Sequence, residues 1–384
     1  MKKVINRFKR IDWILLAMVL SLTALGIIMQ YSASKYDLSI VKQQAIYAGI
    51  GLAALIIVAV LPFGVIYFLA PWGFVLGLGL TVITGFIGKS VKGARRWLLI
   101  GGRTFQPSEF LKTVLIMVLA FVVCRFINEI NSNEEIKLRR LPDIIRDKGI
   151  RGYLHMVRGY IALMAVIASA ALAVAVFNKD LGTAVIIFGI GFIVMIVISP
   201  HRKYLVAIGL AGAAGVAALI AAQDFRQDRI NAWLHTDELS SDLSYQIKQG
   251  LYAIGSGGWF GKGLGKSIQK DVIPEPHTDM IFSIICEELG IIGGIIIITF
   301  FIILILRLHK IYDQVTDLFG KIIVIGVTSH IAVQTLVNLA VITNLMPNTG
   351  VPLPFISYGG TTLITLYMET GLVMCSRSCI LDSK

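Results

Sequence analysis

The sequence predicts an all-α integral membrane protein, and three observations carry that prediction. Hydrophobic residues make up 56% of the 384, the mean hydropathy is +0.79, and charged residues are only 15%, against roughly 25% in soluble domains. The apolar residues also come in long runs, and about 20 in a row cross a bilayer as a helix. About ten transmembrane helices follow, read at 13–33, 44–61, 64–88, 108–126, 159–177, 181–198, 203–222, 279–306, 321–343 and 360–376.

The first run follows the basic start "MKKVINRFKR" and ends at "YSAS", a small-residue stretch that resembles a cleavage site. The run is longer than the apolar part of a signal peptide and further spans follow it, so it reads as a signal-anchor. The second and third runs are separated only by Pro62 and Gly64, and Pro71, Gly77 and Gly79 let helices bend or pack closely. Lys2, Lys3, Arg7, Lys9 and Arg10 keep the N-terminus in the cytoplasm. With ten spans the C-terminus is cytoplasmic too, and the basic stretches 125–158 and 200–203 fall inside, as the positive-inside rule requires. Residues 1–384 then form a single polytopic membrane domain, with 89–107 extracytoplasmic and 223–278 a large extracytoplasmic loop between spans seven and eight.

Most of the net charge of +12 is thereby topology and attraction to anionic headgroups, not a signal for nucleic acid. The four cysteines, at 124, 286, 375 and 379, lie in spans or at the C-terminal end. They make neither a disulfide framework nor a zinc site.

The outer loop 89–107 breaks the charge rule. Lys89, Lys92, Arg95, Arg96 and Arg103 stand there with no acid before Glu109, and Trp97 lies among them. The charge is either incidental to a solvated loop or a site for an anion, since arginine forks and lysine charges suit phosphate oxygens. A cationic strip with an aromatic anchor at headgroup depth suits a lipid phosphate or diphosphate. Gln106, Pro107, Ser108 and Glu109 form a helix start. Glu109 and Lys112, three apart, share a helical face as an ion pair or as part of a cavity.

In the large loop, "GSGGWFGKGLGKSIQK" contains Gly265-Lys266-Ser267 but has Phe260 where a phosphate-binding loop needs glycine, so a turning loop is read instead. Lys262, Lys266 and Lys270 add to the outer positive field. "HTDMIFSIICEELG" then puts His277, Thr278 and Asp279 at the mouth of an apolar run. Either Thr278 or Asp279 can cap that helix. With Thr278 as the cap, Asp279 stands in the first turn, where the dipole favours the ionised form of a general base. Glu287 lies some 80° round the helix from Asp279 and is expected to share its cavity, while Glu288 faces another helix or the lipid edge. Asp180, in "NKDLGTA", sits at another outer mouth as a cap or a ligand. His330, Gln334 and Asn338 form a polar stripe explained by interhelical hydrogen bonding.

"GARRW", "QPSE", "DLGTA", "PEPHTDMIFSIICEELG" and "NTGVPLPFISYGG" resemble, in order and spacing, the signature stretches of the SEDS family of bacterial cell-wall proteins (RodA, FtsW, SpoVE), with a mild lean to the FtsW type. The resemblance covers nearly the whole chain. It implies a multi-pass protein of the bacterial cytoplasmic membrane, a peptidoglycan glycosyltransferase that polymerises lipid II on the outer face in cell division or cell-shape maintenance. It also implies a nascent glycan strand on undecaprenyl diphosphate, a class B penicillin-binding protein and other division or elongation proteins as partners. Asp279 matches the acid taken as catalytic. Trp97, Arg95 and Arg96 match outer-loop positions, and Gln106, Ser108, Glu109 and Lys112 fall in the second motif. Lys179 stands where the family usually has proline.

The reaction expected is deprotonation of the acceptor hydroxyl by Asp279 and inverting attack on the anomeric carbon. Lys92, Arg95, Arg96 and Lys112 would neutralise the departing diphosphate. The sequence assigns no cofactor and no metal ligand; a divalent cation, Mg or Mn, bridging the diphosphate to a carboxylate is compatible with it. The rival reading is a flippase for a lipid-linked precursor, which needs a polar path through the full membrane depth.

Overall fold

The computed structural model describes residues 11–91, 94–127, 141–199, 202–221, 224–234 and 242–378. Lys92, the N-terminal lysines and arginines at 2–10, and Cys379 lie outside the described residues. Helices stand at every predicted run: α1 (Trp13–Ala33), α2 (Leu38–Val60), α3 (Phe63–Ile87), α4 (Pro107–Ile127), α5 (Leu141–Phe177), α6 (Leu181–Ile198), α7 (Arg202–Ala221), α10 (Ile281–Gln314), α11 (Leu318–Ile342) and α12 (Gly360–Ser378). By length and apolarity, seven of these can cross a membrane: α1, α2, α3, Val157–Phe177 of α5, α6, α10 and α11. Two further helices, α8 (Asp224–Leu234) and α9 (Asp242–Ser256), lie in the large loop.

Local chemistry sets most boundaries. Asp37 caps α2 by accepting from Ser39 N (2.8 Å), so the helix begins before the apolar run does. Of the break expected at Pro62 and Gly64, only the Pro62 part is present, with extended backbone at Leu61 and Pro62, while Gly64 lies inside α3. Pro107 is the first residue of α4, where its missing N–H costs nothing. The buried faces meet in one hydrophobic core drawn from α1 to α12. At its centre α4, α11 and α12 pack on one another, α12 runs along α2, and α10 packs on α1 and α11.

Two contacts between α1 and α10 mark the ends of the bundle. Asp12 accepts from Arg307 (2.6 Å) and Arg377 (2.7 Å) at one end, and Ser32 donates to Glu288 (2.5 Å) at the other. Twenty residues of α1 separate Asp12 from Ser32, about 30 Å of helix, which matches the hydrocarbon thickness. Asp279 and the large loop belong to the Ser32–Glu288 end. The span expected at 279–306 is corrected by this arrangement. Gly290 has φ 73° and ψ −177° and splits α10 into Ile281–Leu289 and a membrane-length Ile291–Gln314.

The loop 89–107, expected on the outer side, is a three-stranded antiparallel sheet, β1 (Lys89–Val91), β2 (Ala94–Ile100) and β3 (Arg103–Phe105). Gly101 and Gly102, both at positive φ, make the two-residue hairpin turn between β2 and β3. Lys89 pairs with Trp97 and Ser90 with Arg95, which leaves Arg96 as the extra residue of a bulge.

The break at Gly290 leaves no room for a side chain. A Cβ there would collide with the Trp259 carbonyl and the Gly261 amide. Gly290→Ala should therefore cost at least the ~1–3 kcal/mol of a strained backbone position. The expected result is a lower thermal midpoint of the purified protein in detergent; an unchanged midpoint would show that the bend is not needed.

Candidate active site

A cavity of about 570 Å³ opens at the Ser32–Glu288 end, and Asp279 lies in its wall. Its sides come from five places: α2 (Tyr47), the sheet (Arg96, Trp97, Thr104), the start of α4 (Gln106), the large loop (Arg229, Gln246, Glu275, Thr278) and the segment 348–362 before and within α12 (Asn348, Pro352, Tyr358, Thr361, Thr362). A second cavity of about 470 Å³, with Gln43 and Arg103 in its wall, shares Tyr47, Thr104 and Tyr358 with the first.

Asp279 is held from its backbone. Its carbonyl accepts from Asn338 Nδ2 (2.9 Å), and the same amide donates to Val351 O (2.8 Å). The Thr278 hydroxyl lies between Glu275 O (2.7 Å) and the Asp279 carboxylate (3.0 Å), with one hydrogen for two acceptors. Burial pushes the Asp279 carboxyl above the usual carboxylate range; the Thr278 hydrogen bond and the charge of Arg229 oppose that shift. Both capping assignments are thus corrected. The residue before α10 is Met280, without a side-chain cap, and Asp279 stands outside the first turn. Desolvation, not the helix dipole, governs its proton affinity.

The bulge at Arg96 lets Arg96 and Trp97, consecutive in a strand, both reach the cavity. Arg96 NH2 donates to Lys179 O (3.1 Å), and NH1 stands 3.5 Å from Asp180. Asp180 also accepts from Thr183 N (3.2 Å) and Thr183 Oγ1 (3.0 Å) as the cap of α6, so its work is to fix Arg96 and a helix end. Lys179 has φ 52°, a conformation closed to the proline usual in the family.

Of the predicted site residues that the structure describes, Arg96, Trp97, Gln106, Thr278 and Asp279 line the cavity, and the others do not; Lys92 lies outside the described residues. Arg95 donates to the Phe86 carbonyl of α3. Ser108 is buried at the start of α4 and accepts from Gln106 Nε2 (3.2 Å). His277 presents its edge to Tyr358 (ring centroids 5.4 Å apart), its carbonyl accepts from Tyr358 N (2.9 Å), and burial lowers its pKa. Glu287 does not share the Asp279 cavity. It accepts from Lys262 (2.7 Å), Ile268 N (3.1 Å), Gln269 N (3.2 Å) and Ser267 Oγ, and so binds the 262–269 turn to α10. Glu288 faces α1 through Ser32, as expected. Lys262 is thereby neutralised, and Lys270 is buried against Gly265 O (2.7 Å), so neither is free to attract a ligand.

Glu109 and Lys112 are 2.9 Å apart and buried, away from the cavity. Lys112 also donates to Gln334 Oε1 (2.9 Å), whose amide nitrogen donates to Pro352 O (3.0 Å) in the cavity wall. His330 bridges Gln334 Oε1 (2.8 Å) and Glu369 (2.7 Å), and Glu369 accepts from Thr113 (2.9 Å). Since Gln334 Oε1 can only accept, His330 Nε2 carries hydrogen and one further proton is shared between Nδ1 and Glu369. The polar stripe of α11 therefore meets buried charges and loop backbone, beyond the interhelical bonds expected. Among the described residues, ionisable groups also lie away from the cavity, where they bond to one another.

Arg229 was missed by sequence reasoning. It lines the cavity from α8, donates to Asn348 O (2.8 Å), and carries a charge felt by Asp279 and Arg96. The charge argument used for 89–107 applies equally to a cation in the outer loop 223–278 and would have found it. Among the described residues no three of His, Cys, Asp and Glu converge as a metal site. The cavity offers two carboxylates, Asp279 and Glu275.

A multi-pass membrane protein with a polar, arginine-lined cavity around one desolvated aspartate is the class that this geometry defines. The chain belongs to the FtsW/RodA/SpoVE family: the family model, described as a cell cycle protein, matches residues 12–378. It is 34% identical to stage V sporulation protein E of Bacillus subtilis, covering 94% of this chain and 96% of that one. It is 32% identical to the probable peptidoglycan glycosyltransferase FtsW of Trichlorobacter lovleyi, covering 96% and 93%. The fold superposes on RodA of Thermus thermophilus with TM-score 0.67 at 25% identity (95% and 96% covered), and on a chain of a solved peptidoglycan synthase complex with TM-score 0.77 at 24% identity (97% and 99% covered).

The buried pair gives a stability test. Lys112→Met leaves the Glu109 carboxylate uncompensated and should cost about 3–5 kcal/mol, whereas Lys112→Met with Glu109→Gln should recover most of that. Thermal midpoints of the purified variants check this. A double variant no more stable than the single would mean that Lys112 acts through Gln334 instead.

Proposed function

We propose that this chain is a peptidoglycan glycosyltransferase that joins lipid II units into glycan strands at the outer face of the cytoplasmic membrane. The observation that carries the proposal is the cavity itself, at headgroup depth, with Asp279 raised in proton affinity beside Arg96 and Arg229. A base must be deprotonated yet basic enough to take a proton, and a desolvated carboxylate held in check by a nearby arginine meets both needs.

Asp279 takes the proton of the acceptor hydroxyl. The oxygen attacks the anomeric carbon of the growing strand with inversion, and the bond to the diphosphate breaks. The leaving group needs neutralising more than protonating, so fixed cations suffice. Arg96 and Arg229 take this role in place of Lys92, Arg95 and Lys112. Arg95 is bonded to α3, Lys112 is buried away from the cavity, and Lys92 lies outside the described residues. A divalent cation accompanying the diphosphate would find Asp279 or Glu275 as its protein ligand, as magnesium sites that share substrate phosphates use one or two carboxylates. A class B penicillin-binding protein is the proposed partner, supported by the likeness to a chain of a peptidoglycan synthase complex.

The test is polymerisation of fluorescent lipid II by the purified chain with its cognate penicillin-binding protein. Asp279→Asn keeps the shape and should lower strand formation by about 10²–10⁴-fold while lipid II binding persists. Equal strands from both proteins would reduce Asp279 to a structural residue. A wild type that makes none but moves lipid II across vesicles would establish the flippase instead.

The pH profile gives an independent check. The base works deprotonated, so activity falls as pH drops through its raised pKa. Arg229→Met removes a charge that favours the ionised form and should move the acid limb of kcat/KM to higher pH. An acid limb that stays in place would separate Arg229 from Asp279.

A further inference from the structure

The turn 257–268 exposes four large apolar side chains within ten residues: Trp259 (68%), Phe260 (83%), Leu264 (58%) and Ile268 (61%). Single exposed apolar residues need no explanation, but a group of four on a fixed segment marks an interaction surface.

The segment is fixed by several independent bonds. Glu287 accepts from Lys262, Ser267, Ile268 N and Gln269 N, as described above, and Glu288 accepts from Ser267 N (3.4 Å). Lys262 N donates to Glu287 O (2.9 Å) and Gly263 N to Glu288 O (2.9 Å). Tyr36, just beyond α1, donates to Gly265 O (3.0 Å). The apolar side chains are therefore held outward while the backbone is bonded inward.

Its depth follows from two more bonds. Ile291 N donates to Gly258 O (2.9 Å) and Ile292 N to Trp259 O (3.3 Å), so the turn lies at the first residues of the membrane-length part of α10. The Ser32–Glu288 contact marks the same level at the end of α1. Immediately below, Ile291, Ile292, Ile295 and Ile296 are 37–58% exposed and continue the apolar face along the helix into the lipid. Lys266, exposed on the same turn, suits anionic headgroups.

We propose that this turn is an interfacial membrane anchor, with Trp259 and Phe260 seated at the headgroup–acyl boundary of the leaflet on the Asp279 side. The occupant is lipid and not a protein because the patch is continuous with the lipid-facing isoleucines of α10. Trp is the side chain suited to that boundary. The turn is bonded to Glu287 and Glu288, eight and nine residues from Asp279. Anchoring it sets the height of the cavity relative to the headgroups. This inference rests on the depth of the turn and not on the chemistry assigned to Asp279.

The experiment uses the full chain in phosphatidylcholine–phosphatidylglycerol vesicles containing brominated phosphatidylcholine, without any partner protein. Trp13, Trp72, Trp97 and Trp233 also emit, so the Trp259 signal is read as wild type minus Trp259→Phe. The expected result is a blue-shifted difference spectrum that loses most of its intensity to bromines near the carbonyl end of the acyl chain, less to bromines at its methyl end, and little to aqueous acrylamide. Matching far-ultraviolet circular dichroism and elution of the two proteins establish that the variant folds. A red-shifted difference spectrum quenched by acrylamide and untouched by bromolipid would overturn the anchor and leave the patch to a protein partner.

Discussion

A stretch of irregular backbone, residues 344–359, dips into an otherwise apolar bundle at 351–357, and its hydrogen bonding is the constraint on which the rest depends. Backbone amides and carbonyls buried at membrane depth must be satisfied by protein, because lipid offers no partner. Side-chain amides from distant helices meet this need: Gln30 donates to Ile356 O (2.6 Å), Gln44 to Ser357 O (3.3 Å), Gln334 to Pro352 O (3.0 Å) and Asn338 to Val351 O (2.8 Å). Arg229 does the same for Asn348 O. Gly26 lets α1 approach the Ile356 backbone so closely that no side chain would fit between them. The loop so held forms one wall of the cavity and, through Asn338, shares a clamp with Asp279.

The buried charges follow from the same constraint. Gln334 can hold Pro352 only if its carbonyl oxygen is itself oriented, and Lys112 and His330 both donate to that oxygen. Each of those brings a buried acidic partner, Glu109 for Lys112 and Glu369 for His330. A lone charge at this depth would cost several kcal/mol, and pairing offsets part of that cost. Asp279 differs in kind: its carboxylate accepts from the Thr278 hydroxyl and feels the charge of Arg229, and burial raises its proton affinity.

The resemblance to the family was legible because its motifs sit where helices begin, turn or meet the membrane surface. What each motif residue does was less so. "QPSE" contributes one cavity residue, Gln106, and three that build the start of α4 and its buried pair. "GARRW" contributes Arg96 and Trp97 but not Arg95, because a single bulged position decides which side chains turn inward. "EELG" contributes none: both of its acids and its glycine join the outer turn to the bend of α10.

The sequence by itself determined the membrane class, the places of the helices and the family, and it singled out Asp279, which the structure puts in a cavity wall. The class and the helices rest on run length and charge asymmetry, and the family rests on short motifs, all of which are read from neighbouring residues. Only the tertiary structure decided that Arg229 faces Asp279, that Glu287 does not, and that the α11 stripe serves a loop and a buried His330–Glu369 pair. Those outcomes depend on contacts between residues tens to hundreds of positions apart, such as Gln30 with Ile356. Such pairings are set by which helices pack together, and periodicity along one helix carries no record of its neighbours.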